Sequence, residues 1–496
     1  MLLWTLWACR TDPAPDPVAL LEPQGSDTGE ALDSGRPPPV DEDGDGVPAD
    51  RDCDDADPDR FPGAPEVSGD GIDSDCDGWD ARPLSQGVGV TAQTDPLDWM
   101  QFGHVLTTGD LDGDGDDEVF AGSQHIHEAS GEGIAAILDG SSLLQTNAWV
   151  GSNTSATARE FGGGVAIVAT DAQPQLAFLS LFGIWAVRPD ARSGDPGRAG
   201  GFYLQDDATP GGHWTGSRIA AVDIIGDADD DVVFECTDGD VAEACVFVGP
   251  ITADGSISDA DLIVTGGPGL GSGLGGADLD ADGHTDLILG ASNAAGDRGE
   301  ITALLGPMPT GRADIADGAR TWQGENPGDW LGQVVSAGDL DGDGVGEVVG
   351  AAMAWPDNDR RGRVYGLTLA TPDVTDATFV IDGDPGFQHL GVGLATGDLD
   401  GDGQDDLAVG APFLPALQTS PGRVFVYFGP VEGALTSAEA DVTYVGEAPG
   451  DGAGVGLAVG DLDGDGAQDL VVGSPYHDES GVDNGKVYLL RGPLAP

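Results

Sequence analysis

The chain has 496 residues, and its 88 acidic against 19 basic side chains give a formal net charge of −69. Such a surface repels the phosphate backbone of DNA and RNA, so nucleic-acid binding is not expected. The 82 glycines show no collagen-like period, and short apolar runs between Gly and Asp clusters indicate an all-β protein. The acidic residues either form a solubilising face or bind divalent cations, and their fixed spacing favours cations.

Residues 1–9 form a short apolar leader that ends at Cys9. Its last four residues resemble a bacterial lipobox, which implies a lipid on Cys9 and an outer-membrane lipoprotein. Another secretory leader or a misassigned start is the alternative, because no positive charge precedes the apolar stretch. Residues 10–40 are rich in Pro, Asp, Gly and Ser and are predicted to be a disordered spacer. No later run is long and apolar enough to cross a bilayer.

Residues 41–80 form a compact acidic module with two cysteines, Cys53 and Cys76. It resembles the short metal-binding module repeated in surface proteins of myxobacteria and their relatives. So small a segment cannot fold on an apolar core, so a Cys53–Cys76 disulfide and bound cations are expected to hold it. Calcium and copper both stay open as the metal, and the carboxylates favour calcium. The candidate ligands are Asp41, Asp43, Asp45, Asp52, Asp73 and Asp75.

One repeat governs residues 87–493, with the core Gly-Asp-Leu-Asp-Gly-Asp-Gly-x-x-Asp-Leu-x-Val-Gly. Its copies lie about 60 residues apart, which suits a four-stranded blade with its turns. The last copy lacks an outer strand, and a strand at residues 87–92 is predicted to supply it and close a ring. An open solenoid is the structural alternative. Complete copies begin at Asp110, Asp278, Asp339, Asp398 and Asp461, and degenerate copies begin at Asp171 and Asp223.

Each complete copy places acidic side chains at positions 1, 3, 5 and 9 of a loop. In the copy at Asp398, glycines at positions 4 and 6 allow the backbone to curl with positive φ. Hard oxygens, including the main-chain carbonyl of position 7, then converge as Ca²⁺ prefers, whereas Mg²⁺ demands stricter octahedral geometry. The candidate ligands are Asp110, Asp112, Asp114, Asp116, Glu118, Asp278, Asp280, Asp282, His284, Asp286, Asp339, Asp341, Asp343, Val345, Glu347, Asp398, Asp400, Asp402, Gln404, Asp406, Asp461, Asp463, Asp465, Ala467 and Asp469.

These loops are not EF-hands. An EF-hand needs a Glu at position 12 and a following helix, but position 12 is small or apolar here and a β-like run follows. The loops, with Phe-Gly before those at residues 110 and 171 and Gly-Ala-Pro at residues 410–412, resemble the FG-GAP repeat of integrin α-subunits and bacterial surface proteins. The resemblance covers residues 87–493 and implies a seven-bladed β-propeller with four-stranded blades and calcium loops on one rim.

Two loops depart from the pattern. The loop at Asp223 has Ile225 at position 3 and is expected to bind a metal weakly or not at all. The loop at Asp171 is cut short, and no metal is predicted there. The weaker candidate ligands of the first are Asp223, Asp227, Asp229 and Asp231.

Two further cysteines, Cys236 and Cys245, flank a short turn between two apolar runs. We predict a hairpin disulfide between them, with two free buried thiols as the alternative. Disulfides imply an oxidising compartment.

The expected function is a calcium-binding scaffold outside the cell or at its surface, for adhesion or for a protein or glycan partner. No catalytic set is recognisable, so the protein is not expected to be an enzyme. The alternatives are an extracellular lyase or hydrolase that uses the propeller channel, and a structural surface coat. Membrane contact is expected only through an N-terminal lipid anchor.

Overall fold

The computed structural model describes residues 47, 54, 56–58, 60, 82–91, 101–123, 134–140, 145–150, 164–169, 174–180, 183–187, 202–205, 218–238, 241–356, 360–384, 389–412, 420–478 and 483–495. The candidate ligands of the N-terminal module, Cys9, Cys53, Cys76 and Asp171 lie outside these residues. Among the described residues, no helix is long and apolar enough to cross a membrane.

The described residues are almost entirely β-strand and turn. In chain order the strands are β1 (Arg82–Pro83), β2 (Val88–Thr91), β3 (Phe102–Gly109), β4 (Glu118–Ser123), β5 (Ile134–Leu138), β6 (Gln145–Val150), β7 (Val165–Val168), β8 (Gln175–Ser180), β9 (Gly183–Val187), β10 (Phe202–Gln205), β11 (Ile219–Val222), β12 (Asp231–Asp238), β13 (Val241–Phe247), β14 (Gly255–Ser256), β15 (Leu262–Thr265), β16 (Leu270–Ala277), β17 (Asp286–Ala291), β18 (Glu300–Leu304), β19 (Gly311–Asp314), β20 (Arg320–Gln323), β21 (Val334–Gly338), β22 (Glu347–Ala352), β23 (Arg363–Leu367), β24 (Phe379–Asp382), β25 (Leu394–Gly397), β26 (Asp406–Ala411), β27 (Arg423–Tyr427), β28 (Gly433–Thr436), β29 (Val442–Val445), β30 (Gly456–Gly460), β31 (Asp469–Ser474) and β32 (Lys486–Leu490). The helical segments are single turns: α1 (Ala294–Asp297) and the 3₁₀ turns Leu84–Gln86, Ile257–Asp259, Ile315–Asp317, Val374–Asp376 and Ser437–Glu439.

The described strands form seven antiparallel units, which we number along the chain. Sheet 1 is β3–β6, sheet 2 is β7–β10, sheet 3 is β11–β13 with β15, and sheet 4 is β16–β18 with β20. Sheet 5 is β21–β24, sheet 6 is β25–β27 with β29, and sheet 7 is β30–β32 with β2. The pairing of β2 with β32 is antiparallel, from Val88 opposite Leu489 to Thr91 opposite Lys486. It confirms the predicted closure of the ring by an N-terminal strand.

The apolar core lies between the sheets rather than inside any one of them. Each cluster of buried side chains draws on two neighbouring sheets, and one cluster joins sheet 7 to sheet 1. The second strand of a blade is therefore covered on both faces, and all six residues of β17, β22, β26 and β31 are buried. Continuous apolar strands covered on both faces, with closed neighbour-to-neighbour packing, are the signature of a β-propeller.

The predicted fold class, seven uniform four-stranded blades, is wrong as stated. Within the described residues, sheets 1, 4 and 7 have four strands, whereas sheets 2, 3, 5 and 6 have five. The added strands, β14, β19, β28 and β1, each pair in parallel with the outer strand of the preceding sheet. Each comes from the connection that leads to the next sheet's own outer strand. It covers an otherwise open edge, whose free N–H and C=O groups would remain unpaired.

The repeated glycines set the spacing between blades. Gly454, which lies seven residues before a loop, has a φ of 88°. Its carbonyl lies so close to Gly410 of β26 that a Cβ on Gly410 would meet it at 1.9 Å. The same approach recurs between Gly332 and Gly290 and between Gly103 and Gly473. Only glycine permits this contact of two backbones at Gly410, Gly290 and Gly473. The positive φ of Gly454, Gly332 and Gly103 favours glycine before the loop in these three blades.

Candidate metal centres

Each candidate loop joins the innermost strand of a blade to its second strand. In sheet 6 the loop runs from Asp398 to the start of β26 at Asp406. The glycines at positions 4 and 6, Gly401 and Gly403, have φ values of 81° and 92°, which L-residues with a side chain rarely adopt. These glycines curl the backbone so that its amide groups point inward.

The loop is held in shape by its own carboxylates. Asp398 accepts hydrogen bonds from the N–H of Gly401 at 2.7 Å and of Gly403 at 2.9 Å. Asp400 accepts one from the N–H of Asp402 at 3.0 Å. Asp402 in turn accepts one from the N–H of Gln404 at 2.9 Å. Positions 1, 3 and 5 therefore each fix a turn of the loop, and each carboxylate keeps further lone pairs for a cation.

The carboxylate at position 9 also holds the loop in shape. Asp406 is fully buried, and its Oδ2 accepts the N–H of Leu399 at 2.8 Å and of Asp400 at 3.0 Å. Its Oδ1 accepts the N–H of Gly429 at 2.8 Å. The bond from the N–H of position 2 to the acid of position 9 recurs in six loops, in the pairs Leu111–Glu118, Ile224–Asp231, Leu279–Asp286, Leu340–Glu347, Leu399–Asp406 and Leu462–Asp469.

The five complete loops bring three carboxylates together. In each, one oxygen from every member of the set lies within 4.8 Å of the others. The sets are Asp110, Asp112 and Glu118; Asp278, Asp280 and Asp282; Asp339, Asp341 and Glu347; Asp398, Asp400 and Asp406; and Asp461, Asp463 and Asp465. The remaining predicted side-chain ligands, Asp114, Asp286, Asp343, Asp402 and Asp469, lie in the same loops but outside these sets.

The predicted carbonyl ligands stand at position 7: Asp116, His284, Val345, Gln404 and Ala467. The N–H of each donates to the carboxylate of position 5, at 2.9 to 3.1 Å. Position 7 is thereby held within the loop, while its role as a carbonyl ligand stays a prediction.

The electrostatics of the loops favour a cation. Burial raises the pKa of Glu347 to about 7, and the neighbouring carboxylate of Asp341 raises it too. Burial also raises the pKa of Asp406 to about 7, although hydrogen bonds from Gly429 and Leu399 oppose the shift. Among the described residues, Asp339 Oδ1 and Asp463 Oδ1 are buried and have no hydrogen-bond partner, while Asp463 Oδ2 pairs with Arg491. Crowded, desolvated and partly unpaired carboxylate oxygens are a donor set that suits a hard divalent cation.

The loop at Asp223 has the same backbone but does not assemble such a set. Asp223 accepts the N–H groups of Gly226 and Ala228 at 2.8 and 3.0 Å, as Asp398 does in its own loop. Position 3, however, is Ile225, which offers no side-chain oxygen. Its carboxylates are absent from the convergent sets found among the described residues.

Sequence reasoning missed the acidic residue at position 8. Asp117, Asp230 and Asp405 each accept a hydrogen bond from a backbone N–H of the preceding sheet, at 2.9 to 3.0 Å. The signal was present in the sequence, because these residues form acidic pairs with position 9 in three of the copies. In these three copies, the first acid of each pair indicates a link to the preceding blade.

The disulfide predicted in the third repeat is confirmed. Cys236 of β12 and Cys245 of β13 are joined with an S–S distance of 2.03 Å. The strands pair antiparallel across the turn, so both sulfurs lie on the same face of the hairpin. Both side chains are buried against sheet 2.

Comparison with known proteins agrees with this architecture. The family described as FG-GAP repeat matches residues 390–427 and 453–490. The family Cu-binding_MopE, described as a "Putative metal-binding motif", matches residues 52–81.

Phosphatidylinositol-glycan-specific phospholipase D of Rattus norvegicus is 36% identical over 168 residues, which cover 32% of this chain and 20% of that protein. Integrin alpha-PS2 of Drosophila melanogaster is 33% identical over 186 residues, which cover 34% of this chain and 12% of that protein. The chain thus spans a fifth or less of the length of these relatives.

Among solved structures, BBS1N in complex with ARL6DN aligns with a TM-score of 0.46 and 12% identity, over 82% of this chain and 98% of that one. That similarity is too low to support an argument. Together with the blades and loops described above, the family matches show a β-propeller that carries FG-GAP repeats at residues 390–427 and 453–490, and a match to a metal-binding motif at residues 52–81.

Proposed function

We propose that this protein is a calcium-binding scaffold at the cell surface, whose propeller binds a protein or glycan partner. The observation that carries the proposal is the set of five loops in which three carboxylates converge within 4.8 Å. Calcium suits these loops better than magnesium, because it accepts several carboxylate and carbonyl oxygens in an irregular shell. Within each loop, positions 1, 3, 5 and 9 would hold the ion, together with the carbonyl of position 7.

Calcium would supply stability rather than chemistry. Extracellular calcium modules bind with dissociation constants of about 10⁻⁴ to 10⁻³ M. At ten times that concentration each site adds about 1.4 kcal/mol, so five sites would add about 7 kcal/mol to the free energy of unfolding. The bound ions would also offset part of the net charge of −69.

The location at the cell surface is supported by the Cys236–Cys245 disulfide, because such bonds persist in oxidising compartments. The integrin relatives share the repeat, and they motivate a binding role for the propeller. A lipid anchor on Cys9 and the spacer predicted at residues 10–40 would hold the propeller away from the membrane.

The calcium part is tested by thermal melting of the full chain in calcium, in magnesium and in EDTA. We expect the melting temperature to be highest in calcium and lowest in EDTA. An unchanged melting temperature in EDTA would overturn it. The partner is sought by a glycan array and by pull-down with calcium and with EDTA, and binding that persists in EDTA would separate recognition from the metal sites.

An enzymatic role is the second candidate, motivated by the four phospholipase D relatives. Each of them is matched over no more than 20% of its length, so the shared segment is a small part of those enzymes. The test is release of a phosphatidylinositol-glycan-anchored protein from vesicles by the full chain. We expect no release above the buffer control, and calcium-dependent release would establish the enzymatic alternative.

A further inference from the structure

Two of the position-8 acids connect neighbouring candidate loops directly. The N–H of Asp405 donates to the carbonyl of Asp339 at 3.1 Å, and Asp405 Oδ2 accepts the N–H of Asp339 at 2.9 Å. Asp117 makes the same pair of bonds with Asp461, at 2.7 and 3.0 Å. Each of these residues is therefore hydrogen-bonded to both the N–H and the carbonyl of position 1 in the loop of the preceding blade.

These bridges run between candidate ligands. Asp339 and Asp461 are members of the convergent sets of their own loops. Asp405 is adjacent in sequence to Asp406, which belongs to the set of the next loop, and Asp117 is likewise adjacent to Glu118. One residue thus separates a ligand of one loop from the backbone that positions a ligand of its neighbour.

Other boundaries between loops are joined more weakly. Between the loops at Asp278 and Asp339, the N–H of Gly346 donates to the carbonyl of Asp278 at 3.0 Å, and glycine has no side chain to complete the bridge. Between the loops at Asp398 and Asp461, the N–H of Gln468 reaches the carbonyl of Asp398 at 3.4 Å. At both boundaries the carboxylate that would hold the N–H of position 1 is missing.

We propose that Asp117 and Asp405 couple cation binding in adjacent loops. The loop at Asp110 then fills together with the loop at Asp461, and the loop at Asp398 together with the loop at Asp339. This inference rests on the calcium binding proposed above. A cation in one loop orders position 9, and through the adjoining position 8 it orders position 1 of the neighbour. The second cation therefore binds to a loop that is already partly ordered, so its binding costs less conformational entropy.

The chain contains a matched control for these bridges. Asp230 makes the same two bonds, from its N–H to the carbonyl of Ala169 at 2.8 Å and from the N–H of Ala169 to its Oδ2 at 2.9 Å. Its partner, however, lies in the blade whose loop is cut short. Asp230→Ala removes the equivalent side-chain bond to the N–H of Ala169. Asp230 does not lie between two complete loops, so this variant should leave the coupling intact.

The experiment is a calorimetric calcium titration of the full chain in which one loop is disabled by Asp341→Asn with Asp343→Asn. We expect the loop at Asp398 to bind calcium at least about 5-fold more weakly than in the wild type, which is the lower end of common allosteric couplings. In the Asp405→Ala background the same disabling should leave the remaining affinities unchanged. In the Asp230→Ala background the weakening should persist, because this residue does not lie between two complete loops. It should also persist in the Asp405→Asn background, because Asn keeps an acceptor oxygen.

Loss of the effect in Asp405→Ala alone would support the coupling, and remaining affinities that ignore the disabled loop in the wild-type background would overturn it. If Asp405→Ala fails to fold in EDTA, Asp117→Ala with the loop at Asp461 disabled by Asp463→Asn and Asp465→Asn tests the same claim. Absence of any calcium binding would refute the proposed function itself, whereas binding without coupling would refute only this inference.

Discussion

The loops at Asp398 and Asp223 share a backbone but differ in the carboxylates that they bring together. In both, position 1 accepts the N–H groups of positions 4 and 6, and position 9 accepts those of positions 2 and 3. Only the loop at Asp398 brings three carboxylates together. The difference lies mainly at position 3, where one loop has Asp400 and the other Ile225. Loop shape is therefore set by hydrogen bonds within the chain, whereas the convergence of carboxylates, and with it the proposed cation binding, depends on the side chain at position 3.

The largest predicted effect concerns position 9 of the two loops. Asp406→Ala and Asp231→Ala each leave one buried and two partly buried N–H groups without their acceptor, at a cost of roughly 3 kcal/mol. In EDTA the two variants should lose similar stability, measured by urea unfolding. In calcium, the difference in the free energy of unfolding from the wild type should become larger for Asp406→Ala only. An equal widening for Asp231→Ala would contradict the distinction between the loops.

The second prediction concerns the blade that carries the incomplete loop, because that blade also carries the disulfide. Replacing both Cys236 and Cys245 by Ala should lower the free energy of unfolding by about 2 to 3 kcal/mol, the chain-entropy effect expected for so short a closed loop. The loss should be the same in calcium and in EDTA. A loss confined to EDTA would show that metal binding and the disulfide substitute for one another.

The third prediction concerns pH in the absence of calcium. Burial raises the pKa of Glu118 and of Glu347 to about 7, so the folded chain retains protons that the unfolded chain has released. Since the folded state then binds more protons, the stability of the metal-free protein should fall as pH rises from about 5 to 7.5. Urea unfolding in EDTA at both values measures this. Glu118→Gln with Glu347→Gln is the control, and it should reduce the dependence but not abolish it, because the pKa of Asp406 is also raised to about 7. A stability that rises with pH would refute the prediction.

The smallest effect is expected at position 6 of the loop at Asp223. Ala228 stands there with a φ of 76°, where the complete loop has Gly403. The left-handed conformation costs a residue with a Cβ about 1 to 2 kcal/mol, and the greater backbone entropy of glycine offsets about half of that. Ala228→Gly should therefore stabilise the protein by about 0.5 to 1 kcal/mol, measured by urea unfolding. Ala281→Gly, at position 4 of a complete loop with a φ of 60°, should behave alike, and destabilisation of both would refute the strain argument.

Much of this arrangement could be predicted from local sequence. The regular Asp-Gly spacing predicts the loops, and the spare strand near Val88 predicts the closure with β32. The fifth strands could not be predicted in this way. β14 is Gly255–Ser256 and β28 is Gly433–Thr436, and neither has the apolar alternation of a strand. They pair because a connection happens to pass an open sheet edge, which is a property of the assembled ring.

The position-8 bridges were missed for a related reason. Asp405 lies 66 residues from Asp339, so the bond between them depends on how neighbouring blades are aligned. By contrast, the pairing of Cys236 with Cys245 needs only one hairpin, and it was predicted correctly. Interactions within a hairpin can be read from the sequence, whereas interactions between blades require the alignment of the sheets.

The most direct test of the account is to restore the missing ligand in the loop at Asp223. The N–H of Ile225 already donates to Asp231 Oδ2 at 3.1 Å, as that of Asp400 does to Asp406, so an Asp at this position would start from the same backbone geometry. Calcium bound at saturation should be counted by equilibrium dialysis for the wild type and for Ile225→Asp. The account predicts one more ion per chain in the variant. An unchanged count in a folded variant would contradict the claim that position 3 decides which loops bind calcium.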